Sequence, residues 1–143
     1  MTGLLVISHS KDAAKGIADM ASQMCGGKVP LRGVGGSEEG GLGTSVPLIL
    51  QALRELLEEA GEVLILPDLG SAVLSARTAL EFLENGVDRI MFADAPILEG
   101  TMMAAVEASV GSSLSRVCQV AEEAHFLKKL GDAPAPTGSP QPS

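Results

Sequence analysis

Two residues able to do chemistry stand directly after apolar runs. His9 follows GLLVIS (residues 3–8), and Asp68 follows VLIL (63–66) and Pro67. Brought together, a histidine and a carboxylate permit several reactions. They could belong to a metal site, but the only other histidine is His125, near the end of the last expected helix, and no third ligand stands at a recognisable spacing. They could be two members of a hydrolase triad with Ser10 or Ser71 as nucleophile, although no G-x-S-x-G elbow is present. Finally, His9 could itself be the nucleophile. An unperturbed imidazole ionises at about 6.5, so much of it is neutral near pH 7. A carboxylate accepting a hydrogen bond from Nδ1–H would fix the tautomer and turn the Nε2 lone pair outward. It would also stabilise the ring's positive charge as Nε2 attacks phosphorus. This last chemistry needs only the two residues present. On residues alone the choice stays open, because a histidine after a strand is often a loop residue and Asp-x-Gly-Ser before a helix is often a turn and a cap.

Whether the two meet depends on the elements that carry them. Gly3–Ser8 is a continuous apolar run, as expected of a strand buried on both faces. Ala14, Ile17, Ala18, Ala21, Met24 and Cys25 then recur at helical spacing, and Gly26-Gly27 ends that helix. A weak strand is expected near 29–34, followed by the Gly-rich segment GVGGSEEGGLGTS (33–45), which reads as a mobile loop. That segment matches neither the P-loop pattern nor a dinucleotide fingerprint. A second helix starts at Ser45 with Pro47 in its first turn, the third strand is VLIL (63–66), and a third helix starts at Ser71. A fourth strand, RIMFA (89–93), and helices over about 99–110 and 114–129 complete the series.

This alternation predicts a three-layer α/β/α fold around a mainly parallel sheet in strand order 2-1-3-4. In that order strands 1 and 3 are neighbours, and the crevice at their C-terminal ends is the topological switch point where such sheets bind ligands. His9 and Asp68 would both stand there. Helices beginning just after each would direct their free N–H groups and positive dipole ends toward the crevice, a setting for anions. Ser10 and Ser71 are therefore expected as helix caps and phosphate contacts. Gly70 and Thr44, at helix starts on the same mouth, are expected as further phosphate contacts.

Composition narrows the partners. The chain has 143 residues, a formal charge of −8, three Phe and no Trp or Tyr. It thus lacks both the clustered cations and the stacking rings that nucleic acid requires. Cys25 and Cys118 fit no zinc spacing and read as reduced core thiols. No apolar run reaches the ~18 residues of a membrane span. The N-terminus lacks the basic region and cleavage site of a signal peptide, so a cytoplasmic location is expected. One folded domain is expected over 1–130, with the Pro-, Gly- and Ser-rich stretch 131–143 as a disordered tail or a linker.

LLVISHS (4–10), GTS (43–45), PDLGSAVLSARTALEFL (67–83) and APILEGTMMAAVEAS (95–109) together make the chain similar to a known family. Over about residues 3–128 it resembles the mannose-type EIIA domains of the bacterial phosphoenolpyruvate-dependent phosphotransferase system. Sugar-transport members usually carry two glycines before a Ser or Thr and a Pro in the third-strand loop. Here a single Gly70 precedes Ser71-Ala72, which looks like the dihydroxyacetone-kinase branch. The resemblance implies that HPr passes a phosphoryl group to His9, oriented by Asp68. The group would then go to ADP held on a DhaL subunit, rebuilding the ATP that phosphorylates dihydroxyacetone on DhaK. It also implies a homodimer and no metal or cofactor of the chain's own. Some relatives carry HPr-like and enzyme I-like domains after this one, where this chain has its Pro-rich stretch. Two other functions are compatible with the same histidine. One is a sugar-system EIIA discharging to an EIIB; the other is a binding module whose phosphorylation state tunes a partner, perched on the helix bearing Met102 and Met103. Those methionines read more readily as ordinary core packing.

Overall fold

The first strand, β1 (Thr2–Ser8), is buried along its whole length in the computed structural model, which describes residues 1–131. It is the second of four parallel strands in the order β2-β1-β3-β4, with β2 at Leu31–Gly35, β3 at Glu62–Pro67 and β4 at Ile90–Phe92. The helices are α1 (Lys11–Met24), α2 (Val46–Glu59), α3 (Gly70–Glu81), α4 (Ile97–Ser109) and α5 (Leu114–Glu123). Strand side chains alternate between the two helical layers. Leu4, Leu64 and Leu66 pack with Ala21, Cys25, Ala104, Ala108, Val117 and Cys118 beneath α1, α4 and α5. Leu5, Ile7, Val63 and Ile65 pack with Ile49, Leu53, Leu56, Ala72 and Ala76 beneath α2 and α3. Burial on both faces explains why β1 and β3 read as unbroken apolar runs. Both cysteines are free and buried.

The expected architecture and strand order are those observed; the element ends differ in places. Helix α5 stops at Glu123 and gives way to a single 3-10 turn, Ala124–Phe126, well short of residue 129. Its apolar stripe runs Leu114, Val117, Cys118, Ala121 and Ala124, but the next positions on that face are His125 and Lys128, so nothing further holds it to the core. The Gly-rich segment is not loop from its start, because Gly33, Val34 and Gly35 are strand residues of β2. Glycine is needed there for close approach. A Cβ on Gly33 would lie 2.3 Å from the Ala14 carbonyl oxygen, and one on Gly35 would lie 2.5 Å from that of Ser10. Met24 lies beside the buried stripe of α1 and is 55% exposed. Among the described residues no helix is long and apolar enough to cross a membrane. Apart from Gly131, the tail expected over 131–143 lies outside the described residues.

Candidate functional site

Parallel pairing of β1 with β3 sets Ile7 beside Pro67, so the residues that follow, Ser8-His9 and Asp68, emerge side by side at the strands' C-terminal ends. The Asp68 N–H donates to the Ile7 carbonyl at 3.0 Å, which extends the ladder one step past the strand. The Asp68 carboxylate then turns back over β1. Its Oδ2 accepts from the His9 backbone N–H at 3.0 Å, and its Oδ1 lies 3.0 Å from His9 Nδ1. Burial works to raise the Asp68 pKa, but the bonds from the His9 backbone, the His9 ring and the Ser8 hydroxyl outweigh it. The carboxyl is held below its ordinary range. An ionised Asp68 can only accept, so Nδ1 carries the proton and, in the neutral ring, Nε2 carries the lone pair. Nε2 is 2.5 Å from Ser71 Oγ, whose hydroxyl donates to it. The His9 side chain keeps 27% of its surface in solvent and Asp68 18%, which leaves the ring reachable by another molecule.

The other expected site residues occupy different posts around this pair. Ser10 is the N-cap of α1, with Oγ accepting from the Ala13 N–H at 3.1 Å. Ser71 was expected to cap α3, but the cap position falls on Leu69, which makes no side-chain bond, and Ser71 is already inside the first turn. From there its hydroxyl faces the imidazole. Gly70 opens α3 and is exposed. Thr44 lies close by, since the neighbouring Gly43 N–H donates to the His9 carbonyl at 2.9 Å, but the Thr44 hydroxyl is paired with Ser75 Oγ at 2.5 Å. His125 is elsewhere, with Nε2 2.8 Å from the Asp94 carbonyl. Met102 and Met103 are half-buried in α4 and line an apolar groove with Met20, Met24 and Leu98, a place intermediate between core and open surface.

Two polar residues at the site escaped the sequence reading. Ser8 is 4% exposed, and its hydroxyl donates to Asp68 Oδ2 at 3.0 Å. Ser75, one turn along α3 from Ser71, ties that helix to the loop before α2 through Thr44. A signal existed for Ser8, a hydroxyl residue closing a run otherwise apolar on both faces. Ser75 left none, because it resembles any other polar residue on a helix.

Together these features make an imidazole with one nitrogen pinned to a carboxylate and the other at the surface, beside the first turns of α1 and α3. Such a ring can attack an electrophilic centre through Nε2 while its growing charge is offset at Nδ1. The free N–H groups of the two helix starts favour an anionic electrophile over a neutral one.

Residues 3–118 match the family model of EIIA-man, described as the fructose IIA component of the phosphotransferase system. A DhaM phosphoryl donor subunit of phosphoenolpyruvate-dependent dihydroxyacetone kinase 2 from Listeria innocua is 32% identical over 126 residues, covering 87% of this chain and 100% of its own. A second Listeria innocua DhaM, of dihydroxyacetone kinase 1, is 38% identical over 105 residues, 73% of this chain and 80% of its own. The Escherichia coli K12 DhaM is 32% identical over 123 residues, covering 82% of this chain but only 25% of its own. The chain thus spans the whole or most of some relatives and about a quarter of others. Among solved structures, that of EF1359, a protein of unknown function, superposes with a TM-score of 0.75 at 33% identity, covering 85% of this chain and 92% of the other.

Proposed function

The chain belongs to the mannose-type EIIA family of the phosphotransferase system, and from that membership we propose that it is the phosphoryl donor subunit of a dihydroxyacetone kinase, carrying the group on His9. The observation that carries this reading is the 3.0 Å bond between His9 Nδ1 and Asp68 Oδ1, which leaves Nε2 as the nucleophile at the surface.

In the forward step Nε2 attacks the phosphorus of phospho-HPr. The Nε2–P bond forms as the bond to HPr breaks, and the ring becomes positively charged, its proton remaining on Nδ1 and donated to Asp68 Oδ1. In the second step an oxygen of the terminal phosphate of ADP, held by a DhaL subunit, attacks the same phosphorus. The Nε2–P bond breaks, the electron pair returns to Nε2, and the ATP rebuilt on DhaL serves dihydroxyacetone on DhaK. The partners are therefore HPr, DhaL and, indirectly, DhaK, and the working form is a homodimer. Ser71 must leave Nε2 before phosphorus can approach. It then stands within reach of the phosphoryl oxygens, as do the Gly70 N–H and the Ser10 hydroxyl, whose oxygen caps α1 and whose proton is left to donate. Thr44, whose hydroxyl is paired with Ser75, joins that cradle from the loop before α2.

The test is transfer with purified components. Wild type should take label from phospho-HPr and lose it to DhaL–ADP, whereas His9→Ala should remain folded and unlabelled. Discharge to a sugar-system EIIB in place of DhaL–ADP would assign the chain to sugar uptake. Label persisting at another acid-labile site in His9→Ala would remove His9 from the relay.

A further inference from the structure

Ser8 ends β1 on the same face as Leu4 and Val6, and the register places it level with Asp68, which continues the Leu64–Leu66 face of β3. A hydroxyl at a position 4% exposed must be satisfied, and this one is satisfied twice. Its oxygen accepts from the Ser10 N–H at 3.1 Å, and its proton goes to Asp68 Oδ2 at 3.0 Å. A hydroxyl rotor is ordinarily free to turn. Here the Ser10 N–H occupies a lone pair and leaves the O–H aimed at the carboxylate. Asp68 Oδ2 is consequently held by two donors, Ser8 O–H and His9 N–H, while Oδ1 alone faces the imidazole. A carboxylate held at one oxygen by a single bond can swing about Cβ–Cγ, a broad and soft torsion. Held by two, it presents Oδ1 to Nδ1–H in one orientation.

We infer that Ser8 is a positioning residue of this site, acting through Asp68 to keep the His9 ring in the Nδ1–H tautomer with Nε2 turned outward. The inference rests on His9 being the nucleophile. It goes beyond the capping of a turn, which the Ser10-to-Ser8 bond alone would accomplish. The Ser8 bond is also one of those that hold the Asp68 carboxyl below its ordinary range against the opposing effect of burial. Loss of the hydroxyl therefore has a signature at Asp68 that loss of a turn contact does not.

The experiment uses the full chain labelled with 13C and 15N, as wild type, Ser8→Ala and Ser8→Thr. Asp68 Cγ is followed through an acid titration, and the two His9 ring nitrogens are observed where the ring is neutral. In Ser8→Ala the Asp68 midpoint should move up and the Nε2–H tautomer should appear beside Nδ1–H. Phosphoryl uptake from phospho-HPr should slow about tenfold, the rate equivalent of one hydrogen bond to a charged group. Ser8→Thr, which keeps the hydroxyl, should restore all three. Should Ser8→Ala fail to fold, Ser8→Cys supplies a weaker donor, and its Asp68 midpoint should stand above wild type. An Asp68 midpoint and tautomer unchanged by Ser8→Ala or Ser8→Cys would overturn the inference, as would a folded Ser8→Thr behaving like Ser8→Ala. If the nuclear signals respond but wild type accepts nothing from phospho-HPr, the role of Ser8 in orienting the ring stands and the phosphocarrier reading fails.

Discussion

The hydroxyl of Ser71 lies 2.5 Å from Nε2 of His9, so the lone pair that the proposed relay would use on phosphorus is occupied in the resting protein. Freeing it costs one neutral hydrogen bond. Once the group has arrived, the same hydroxyl can donate to an anionic phosphoryl oxygen, and charge-assisted bonds are roughly twice as strong as neutral ones. The exchange favours the phosphorylated state. Ser71→Ala should therefore slow uptake about tenfold and shorten the lifetime of the phosphorylated protein, although it exposes Nε2. Rapid-quench measurement of uptake decides the sign, since a faster variant would make Ser71 a mere obstruction.

Asp68→Asn separates charge from shape. The amide fills the carboxylate's space, but its single oxygen cannot accept from both sides, so its NH2 must meet either the His9 N–H and Ser8 O–H donors or the ring nitrogen, and it cannot offset charge on the ring. Transfer from phospho-HPr should fall by on the order of 10²-fold or more, as for carboxylates that orient catalytic histidines. The circular dichroism spectrum should remain that of the folded protein. A variant transferring within a few-fold of wild type would show that Nδ1–H needs an acceptor but not an anion.

The same carboxyl gives the fold an acid limb. Its pKa is lower folded than unfolded, so its contribution to stability is complete above the ordinary carboxylate value of about 3.9. That contribution is lost as pH falls through the lower, folded value. Denaturant titrations of wild type and Asp68→Asn should accordingly differ most near neutrality and converge below about pH 4. Curves that stay parallel down to pH 3 would mean that Asp68 has no folded-state preference for its charged form.

How far these features could be read in advance depended on how local their causes are. The strands β1 and β3 announce themselves because burial on both faces demands unbroken apolar runs, and alternation with amphipathic helices then leaves few ways to order the sheet. His9 and Asp68 followed from that order, since each closes a central strand. The roles of the serines did not. Ser71 faces the imidazole only because α3 begins two residues earlier than a side-chain cap at Ser71 would place it, with its cap at Leu69. Thr44 stands at a helix start as expected, but its pairing with Ser75 on the helix packed alongside left no mark in the sequence. Such pairings depend on helix rotation, which the spacing of apolar residues fixes only to within the width of a stripe. Even the end of α5 was visible in principle, in the polar His125 and Lys128 that interrupt its face.

Gly35 and Gly16 form a matched pair that tests how the backbone supports the site. Gly35 lies across from Ser8 in the β1–β2 register, under the turn that carries His9. A Cβ there would lie 2.5 Å from the Ser10 carbonyl oxygen and 2.7 Å from that of Ser8, and both are backbone atoms that cannot rotate away. Gly35→Ala must therefore push the 8–10 turn off the sheet. A loss of roughly 1–3 kcal/mol, the usual cost of forcing atoms into a packed interior, is expected in denaturant unfolding. Because the displaced turn carries the His9 N–H bonded to Asp68, transfer should slow along with it. Gly16 is an exposed position inside α1, where an added Cβ meets nothing within 4 Å. Gly16→Ala should stabilise the protein by about 0.5–1 kcal/mol through helix propensity and leave transfer unchanged. If both variants lost stability alike, the close approach at Gly35 would not be what holds the His9 turn to the sheet.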